Sequence, residues 1–197
     1  MANVFLDLGT HFGQGLKMFM DRFKMDESWT IHTFEANPTT HKIFLDGFHK
    51  EVPWVKSHNQ AVADYNGTIT INVETPPGEG DTGQGTSIID LDKWSPWNGT
   101  LRDNFQRQVD VECIDFAQFI KDNFSPEDTI IIKMDIEGAE YRVLDKMIET
   151  DVLKDYINFI TVEWHSRFFT NADEMRVQEN KIRYYANINN IIMESWQ

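Results

Sequence analysis

The chain has 197 residues, 41% of them hydrophobic and 25% charged, which is the profile of a globular domain and argues against disorder. Its net charge of −14 has the wrong sign for a phosphate-tracking surface, so nucleic acid and anionic membrane are disfavoured as partners. A single cysteine, Cys113, leaves no internal disulfide framework and no cysteine-based zinc site. No apolar run approaches the ~18 residues of a membrane span, and "MANVFLDLGT" carries no basic and apolar leader. The expectation is a single domain over residues 1–197, soluble and cytoplasmic.

The pattern then alternates between strand and helix. "NVFLDLG" reads as a short apolar strand ending at Gly9. Leu16, Phe19, Met20 and Phe23 follow at helical spacing. "WTIHTFEAN" is a second strand. Asn37 then Pro38 has the form of an N-cap with proline at the first helical position, and Ile43, Phe44 and Phe48 give that helix its apolar face. "PWVKSHNQAVAD" reads as a third strand, and Asn66-Gly67 between it and the alternating "TITINVE" predicts a hairpin.

Residues 75–104 break the rhythm. They are rich in Gly, Pro, Asp and Trp, and a loop of this length inside a compact domain suggests a lid or a substrate loop. Trp94 and Trp97 there could cover a ligand or pack back on the core. "RQVDVECI" resumes as a strand, and Asp115 caps a short helix that stops at Ser125-Pro126. "TIIIKM" follows, bounded by Asp128 and Gly138, and reads as a fully buried strand. A helix presenting Tyr141, Leu144 and Ile148 comes next, then the strand "INFITVEWH". Asn171 with Glu174 predicts a capping box on a helix to about Asn187, and "NIIMESW" a last strand. This order predicts an α/β fold with a mainly parallel sheet, helices on both faces and an added antiparallel hairpin.

Two features point to a ligand. The first strand runs into glycines at 9, 13 and 15 ahead of a helix, where backbone can approach a ligand closely. A dinucleotide fingerprint from Gly9 would need glycines where His11 and Gln14 stand. A phosphate loop at "GDTGQGTS" would need a lysine where Thr86 stands. The spacing that remains is Asp7, Gly9 and Gly13, with Glu35 at the end of the next strand. Asp7 would repel a pyrophosphate and suits a cation, while Glu35 can accept the hydroxyls of a ribose. S-adenosylmethionine combines a ribose and a positive charge with no phosphate.

The second feature is "IIIKMDIEGAEYRVL", which aims Asp135, Glu137 and Glu140 from the end of an apolar run. Burying a carboxylate without a partner is costly, so these acids should lie past the strand's end, at the mouth of the sheet. "TVEWH" puts Glu163 and His165 at another strand end with matching side-chain parity.

"FLDLGTHFGQGL", "FEANP", "NQAVADYNGTITI", "VDVECIDFAQFI" and "IIKMDIEGAEYRVL" occur in this order over most of residues 3–165. Together they resemble the FkbM family of S-adenosylmethionine-dependent methyltransferases. The resemblance implies a class I methyltransferase-like, Rossmann-like three-layer sandwich. It implies that Asp7, Gly9, Thr10 and Gly13 surround the methionine end of the cofactor. It further implies that Glu35 holds the ribose, that Asn59, Gln60 and Ala61 flank the adenine, and that Asp135 faces the sulfonium and the acceptor. The sequence departs from the family at Gly-Thr-His, where Gly-Ala-Asn is common, and at Ala36, where proline is frequent. It starts at the first strand and ends near the sixth.

The expected reaction is methyl transfer to a hydroxyl of a small molecule or saccharide, with oxygen as acceptor resting on the resemblance. Such an acceptor needs a base or a Lewis acid. Asp135, Glu137 and His165 are the catalytic candidates. With Glu163 they are also candidate ligands for a divalent cation such as magnesium. Structural roles stand beside these: Glu140 at a helix N-terminus suits the dipole, Lys133 can pair with a neighbouring acid, and a lone histidine such as His165 is commonly structural. The alternative functions are a metal-dependent hydrolase built on the same carboxylates and His165, or a non-catalytic binding module.

Overall fold

The computed structural model describes residues 1–74, 86–88, 105 and 107–196. In chain order the elements are β1 (Asn3–Leu8), α1 (Gln14–Phe23), β2 (Thr30–Phe34), α2 (Pro38–Asp46), a 3-10 turn (Phe48–Glu51) and β3 (Lys56–His58). Next come β4 (Ala61–Ala63), β5 (Gly67–Val73), β6 (Arg107–Asp115), α3 (Phe116–Asn123), β7 (Thr129–Met134), α4 (Glu140–Glu149) and α5 (Val152–Tyr156). The described chain closes with β8 (Ile157–Val162), a 3-10 turn (Ser166–Phe168), α6 (Ala172–Ile188) and β9 (Ile192–Ser195).

Six strands form a parallel sheet in the order β3-β2-β1-β7-β8-β9. The chain winds outward from β1 in one direction, then restarts at β7 on the other side of β1. The strand order therefore reverses between β1 and β7, and open α/β sheets bind ligands outside the carboxyl ends at such a point. Strand alternation explains the layers. Val4, Leu6 and Leu8 of β1, with Ile130, Ile132 and Met134 of β7, pack against α3, α4, α5 and α6. Phe5 and Ile131 point the other way, into a second core with Leu16, Phe19 and Phe44 of α1 and α2. Each such fully buried side chain contributes roughly 1.5–3 kcal/mol of transfer free energy. The result is an α/β three-layer sandwich with a mainly parallel sheet, as the sequence predicts.

Two helix starts also follow the sequence. Asn37 accepts hydrogen bonds from the amides of Thr39 and Thr40, and Asp115 accepts from Gln118. The capping box at α6 takes another form. Asn171 donates through its side chain to the Glu174 carboxylate, and caps no backbone amide.

The expected third strand is in fact two. Asn59 Nδ2 donates to the carbonyls of Glu35 and Ala36, and the chain breaks there between β3 and β4. β4 leaves the main sheet for a smaller one in the order β4-β6-β5. The expected hairpin across Asn66-Gly67 is corrected accordingly: β4 and β5 flank β6 and do not pair with each other. The antiparallel pair is β5 with β6, from Gly67↔Cys113 to Val73↔Arg107. Packing accounts for this choice. Val111 and the buried thiol of Cys113 on β6 complete one apolar cluster with Ala61, Ala63, Ile71 and Val73. Most of loop 75–104, including Trp94, Trp97 and nearly all of "GDTGQGTS", lies outside the described residues. No helix among the described residues is long and apolar enough to cross a membrane.

Candidate functional site

A cavity of about 330 Å³ opens at the carboxyl ends of β1, β2 and β7. Its floor is the glycine turn after β1. Gly9 has φ +78°, and a Cβ there would lie 1.8 Å from the carbonyl oxygen of Asp135. The glycine is thus demanded first by the neighbouring strand end, whose Asp135 amide donates to Leu8. The amides of Gly9 and Thr10 both donate to the carbonyl of Phe34, which stitches the turn to β2. Gly13, at φ +94°, faces Phe44 and Phe48 instead of the cavity.

Glu35 sits just past β2 and is 7% exposed. One carboxylate oxygen accepts from the amide of His11 at 2.9 Å and the other from Asn37 at 2.8 Å. His11 reaches it by adopting a left-handed backbone, φ 52°. Burial pushes the Glu35 pKa up to about 7, against the lowering effect of the two amide bonds. An ionised carboxylate has about four acceptor positions, so two remain for a ligand. Around it lie apolar walls from Phe34, Ala36, Val62, Ile71 and Ile88.

Asp7 is not past the strand end. It lies within β1, fully buried, in register with Lys133 of β7. The Lys133 ammonium stands 3.6 Å from Asp7 Oδ1 and 3.3 Å from Asp135 Oδ2, and donates to the Gly9 carbonyl at 2.6 Å. The cation that answers Asp7 is therefore supplied by the chain itself. Burial raises the Asp7 pKa despite Lys133. Burial alone would lower Lys133, but Asp135 and Asp7 outweigh it and hold the ammonium charged. Trp196, beyond β9, lines the cavity and lays its ring 5.9 Å from the same ammonium.

The far end of the cavity is acidic. Glu140, the first residue of α4, is fully buried and accepts from the amides of Ile136 and Gly138. It also holds His165 Nδ1 at 2.9 Å. These bonds pin the turn that leads into α4, which has no side-chain cap, and they anchor the imidazole. His165 Nε2 then faces Glu137 at 3.4 Å, Glu163 at 3.6 Å and Asp135 at 4.0 Å. Arg167 reaches the same Glu163 oxygen at 3.7 Å. Burial would lower His165, yet Glu140, Glu137 and Asp135 lift it to about 9. Burial pushes Glu137 up to about 7, with His165 opposing. Glu163 is also raised, by burial and then by Asp135.

Of the residues expected to hold a cofactor, Gly9, Thr10, Glu35, Gln60 and Ala61 line the cavity, while Asp7, Gly13 and Asn59 stand behind it. Of the expected catalytic residues, Asp135 and Glu137 line it and His165 stands behind those acids, beside the candidate metal ligand Glu163. Lys133 and Trp196 join the site without having been expected there, and the described part of segment 75–104, Thr86–Ile88, also reaches it. That segment is fixed by Ser87, whose hydroxyl donates to the Glu137 carbonyl and whose backbone bridges Asn72. Nothing local in the sequence signals that Trp196 returns to Phe19 of α1 and Lys133 of β7, since the contacts depend on β9 lying beside β8.

The chain is an α/β protein with an open parallel sheet and an acid-rich cavity at its switch point, the place where such sheets bind ligands. A family model described as "Methyltransferase FkbM domain" matches residues 7–185. The chain belongs to the FkbM methyltransferase family. Among solved structures it is similar to the FkbM methyltransferase of Methylobacillus flagellatus KT, with 11% identity and a TM-score of 0.52. The match covers 93% of this chain and 37% of that protein's chain, and at this identity it speaks to the fold alone. Among curated proteins, none matches this chain.

Proposed function

We propose that this chain is a single-domain methyltransferase that uses S-adenosylmethionine and methylates a hydroxyl of a small molecule or saccharide. Family membership supports methyl transfer. The observation that carries the cofactor is Glu35: a carboxylate held at both oxygens by backbone amides, with acceptor capacity left over, at the edge of an apolar slot. The cavity's volume lies in the usual range for small-ligand sites.

The residues present fit this cofactor. Glu35 would take the ribose hydroxyls. Phe34, Ala36, Gln60, Ala61, Val62, Ile71 and Ile88 would enclose the adenine. Gly9 and Thr10 would border the methionine end, with Asp135 toward the reacting centre. Asp7, Gly13 and Asn59 act as supports: Asp7 retains Lys133, Gly13 admits Phe48, and Asn59 fixes the backbone of Glu35. S-adenosylmethionine supplies a methyl group already activated on a sulfonium, so the protein's main task is positioning. Asp135 is assigned to receive the proton of the acceptor hydroxyl; His165, which the surrounding acids keep protonated, is assigned to hold those acids in place. Loop 75–104 is assigned to acceptor selection. The same reading has the protein act in the cytoplasm, with no nucleic acid or membrane as partner.

A hydrolase built on the acid cluster alone leaves Glu35 and its two amide donors without a task. The test is transfer of labelled methyl from S-adenosylmethionine into panels of saccharides and small hydroxyl compounds. Incorporation by wild type, abolished in Glu35→Ala, is the expected result. Hydrolysis of an acceptor without methyl incorporation would reverse the order of the two readings.

A further inference from the structure

We infer that Asp135, Glu137 and His165 form a binding site for one divalent transition-metal ion, of the manganese class in preference to magnesium. One ligand atom from each residue lies within 4.8 Å of the others. Acidic residues cluster on many surfaces without any such role, and an imidazole is what distinguishes this group.

His165 is 1% exposed, and its Nδ1 is committed to the buried Glu140. A carboxylate behind a histidine fixes the tautomer and turns the other nitrogen outward, which is the usual support of a metal-bound imidazole. His165 Nε2 makes no hydrogen bond among the described residues, although three carboxylates surround it. Their distances of 3.4, 3.6 and 4.0 Å are long for hydrogen bonds. The Glu137 distance matches an edge of a coordination shell, and Asp135 would need to close in by about half an ångström around an ion. Two ligands each about 2.1 Å from one ion stand about 3.0 Å apart in octahedral geometry and about 3.4 Å apart in tetrahedral geometry. Asp135 divides its oxygens accordingly, with Oδ2 toward Lys133 and Oδ1 toward His165.

Charge points the same way. Asp135, Glu137 and Glu163 converge on one imidazole, and Lys133 and Arg167 lie at the margins of the group. Magnesium keeps mainly to oxygen ligands and water, whereas an imidazole with carboxylates suits manganese and its neighbours. Asp135 and Glu137 also line the cavity, so an ion between them would face an entering acceptor. It would act there as a Lewis acid that eases loss of the hydroxyl proton. That role rests on the proposed methyl transfer; ion binding itself does not.

The test is Mn2+ titration of the full chain after chelator treatment, followed by electron paramagnetic resonance. S-adenosylmethionine affinity is measured on the same samples, so the two readings fail separately. One ion per chain is expected, with a nitrogen coupling from the imidazole. Glu137→Gln, a near-isosteric change at a half-buried position, should weaken Mn2+ at least 10-fold. His165→Gln should abolish the nitrogen coupling. Glu140→Gln should weaken the ion about 10–100-fold, as loss of such a support does. No Mn2+ binding by folded wild type would overturn the assignment. So would binding without nitrogen coupling that survives Glu137→Gln, the behaviour of an ion spread over an acidic surface.

Discussion

Asp7 and Lys133 occupy one register position of β1 and β7, and their charges face each other at 3.6 Å with almost no exposure. Removing one partner of such a buried pair leaves an uncompensated charge, at a cost of about 3–5 kcal/mol. Lys133→Met should therefore lower stability by an amount in that range. Adding Asp7→Leu should restore most of the loss. Urea unfolding of the two single variants and the double variant measures the coupling directly; additive effects would show that the pair is not coupled.

Gly9 allows no side chain. Its positive φ adds strain for any other residue, roughly 1–3 kcal/mol. Its Cβ position also overlaps the Asp135 carbonyl. Gly9→Ala should therefore push β1 and β7 apart at their carboxyl ends. The expected outcome is a fall in the unfolding midpoint together with loss of cofactor affinity. Gly67→Ala, whose Cβ would meet only the ring of Tyr65, is the control for a glycine replaced elsewhere.

His32 and His58 form a hydrogen-bonded pair at 3.0 Å, with Phe119 and Phe124 packed edge-on to His32. Burial, then the neighbouring charges of His58 and Lys56, lowers His32 from 6.5 to about 4. The unfolded chain therefore binds this proton more readily than the folded one. The contribution to stability is present above pH 6.5 and lost as pH falls through about 4. Wild type should lose more unfolding free energy over that window than His32→Gln, as read from urea midpoints at each pH.

Glu35 gives the opposite sign. Its folded pKa of about 7 stands above the ordinary 4.5, so its contribution to stability falls as pH rises between those values. On the proposed reading, the ionised form is the one that would accept two ribose hydroxyls. Affinity for S-adenosylmethionine should therefore increase from pH 6 to pH 8 in wild type. In Glu35→Gln it should be weaker and nearly independent of pH over that range. Calorimetry at several pH values separates the two profiles.

These particulars show what was legible in the sequence. The three isoleucines of β7, the helical spacing of α1 and the caps at Asn37 and Asp115 reflect local physics, and they place the sheet and its helices. Glu35, Asp135 and Glu137 were legible because strand ends in such a sheet face its mouth. The partner of Asp7 was not: an acid within the strand could be matched to Lys133 only once the β1–β7 register was known. The break at Asn59 was hidden for a similar reason. Its side chain satisfies carbonyls 23 and 24 residues away, and an apolar run on either side reads as one strand. Glu140 and His165 illustrate the point from the other side. Each had a structural reading of its own, and only their contact shows that one residue pins the turn ahead of α4 and orients the other.

The most direct test of the account is calorimetric titration of the folded protein with S-adenosylmethionine and S-adenosylhomocysteine, for wild type and Glu35→Ala. Micromolar binding of both ligands by wild type, weakened at least 10-fold by the substitution, is the expected result. No binding by a demonstrably folded wild type, or an affinity untouched by Glu35→Ala, would contradict it.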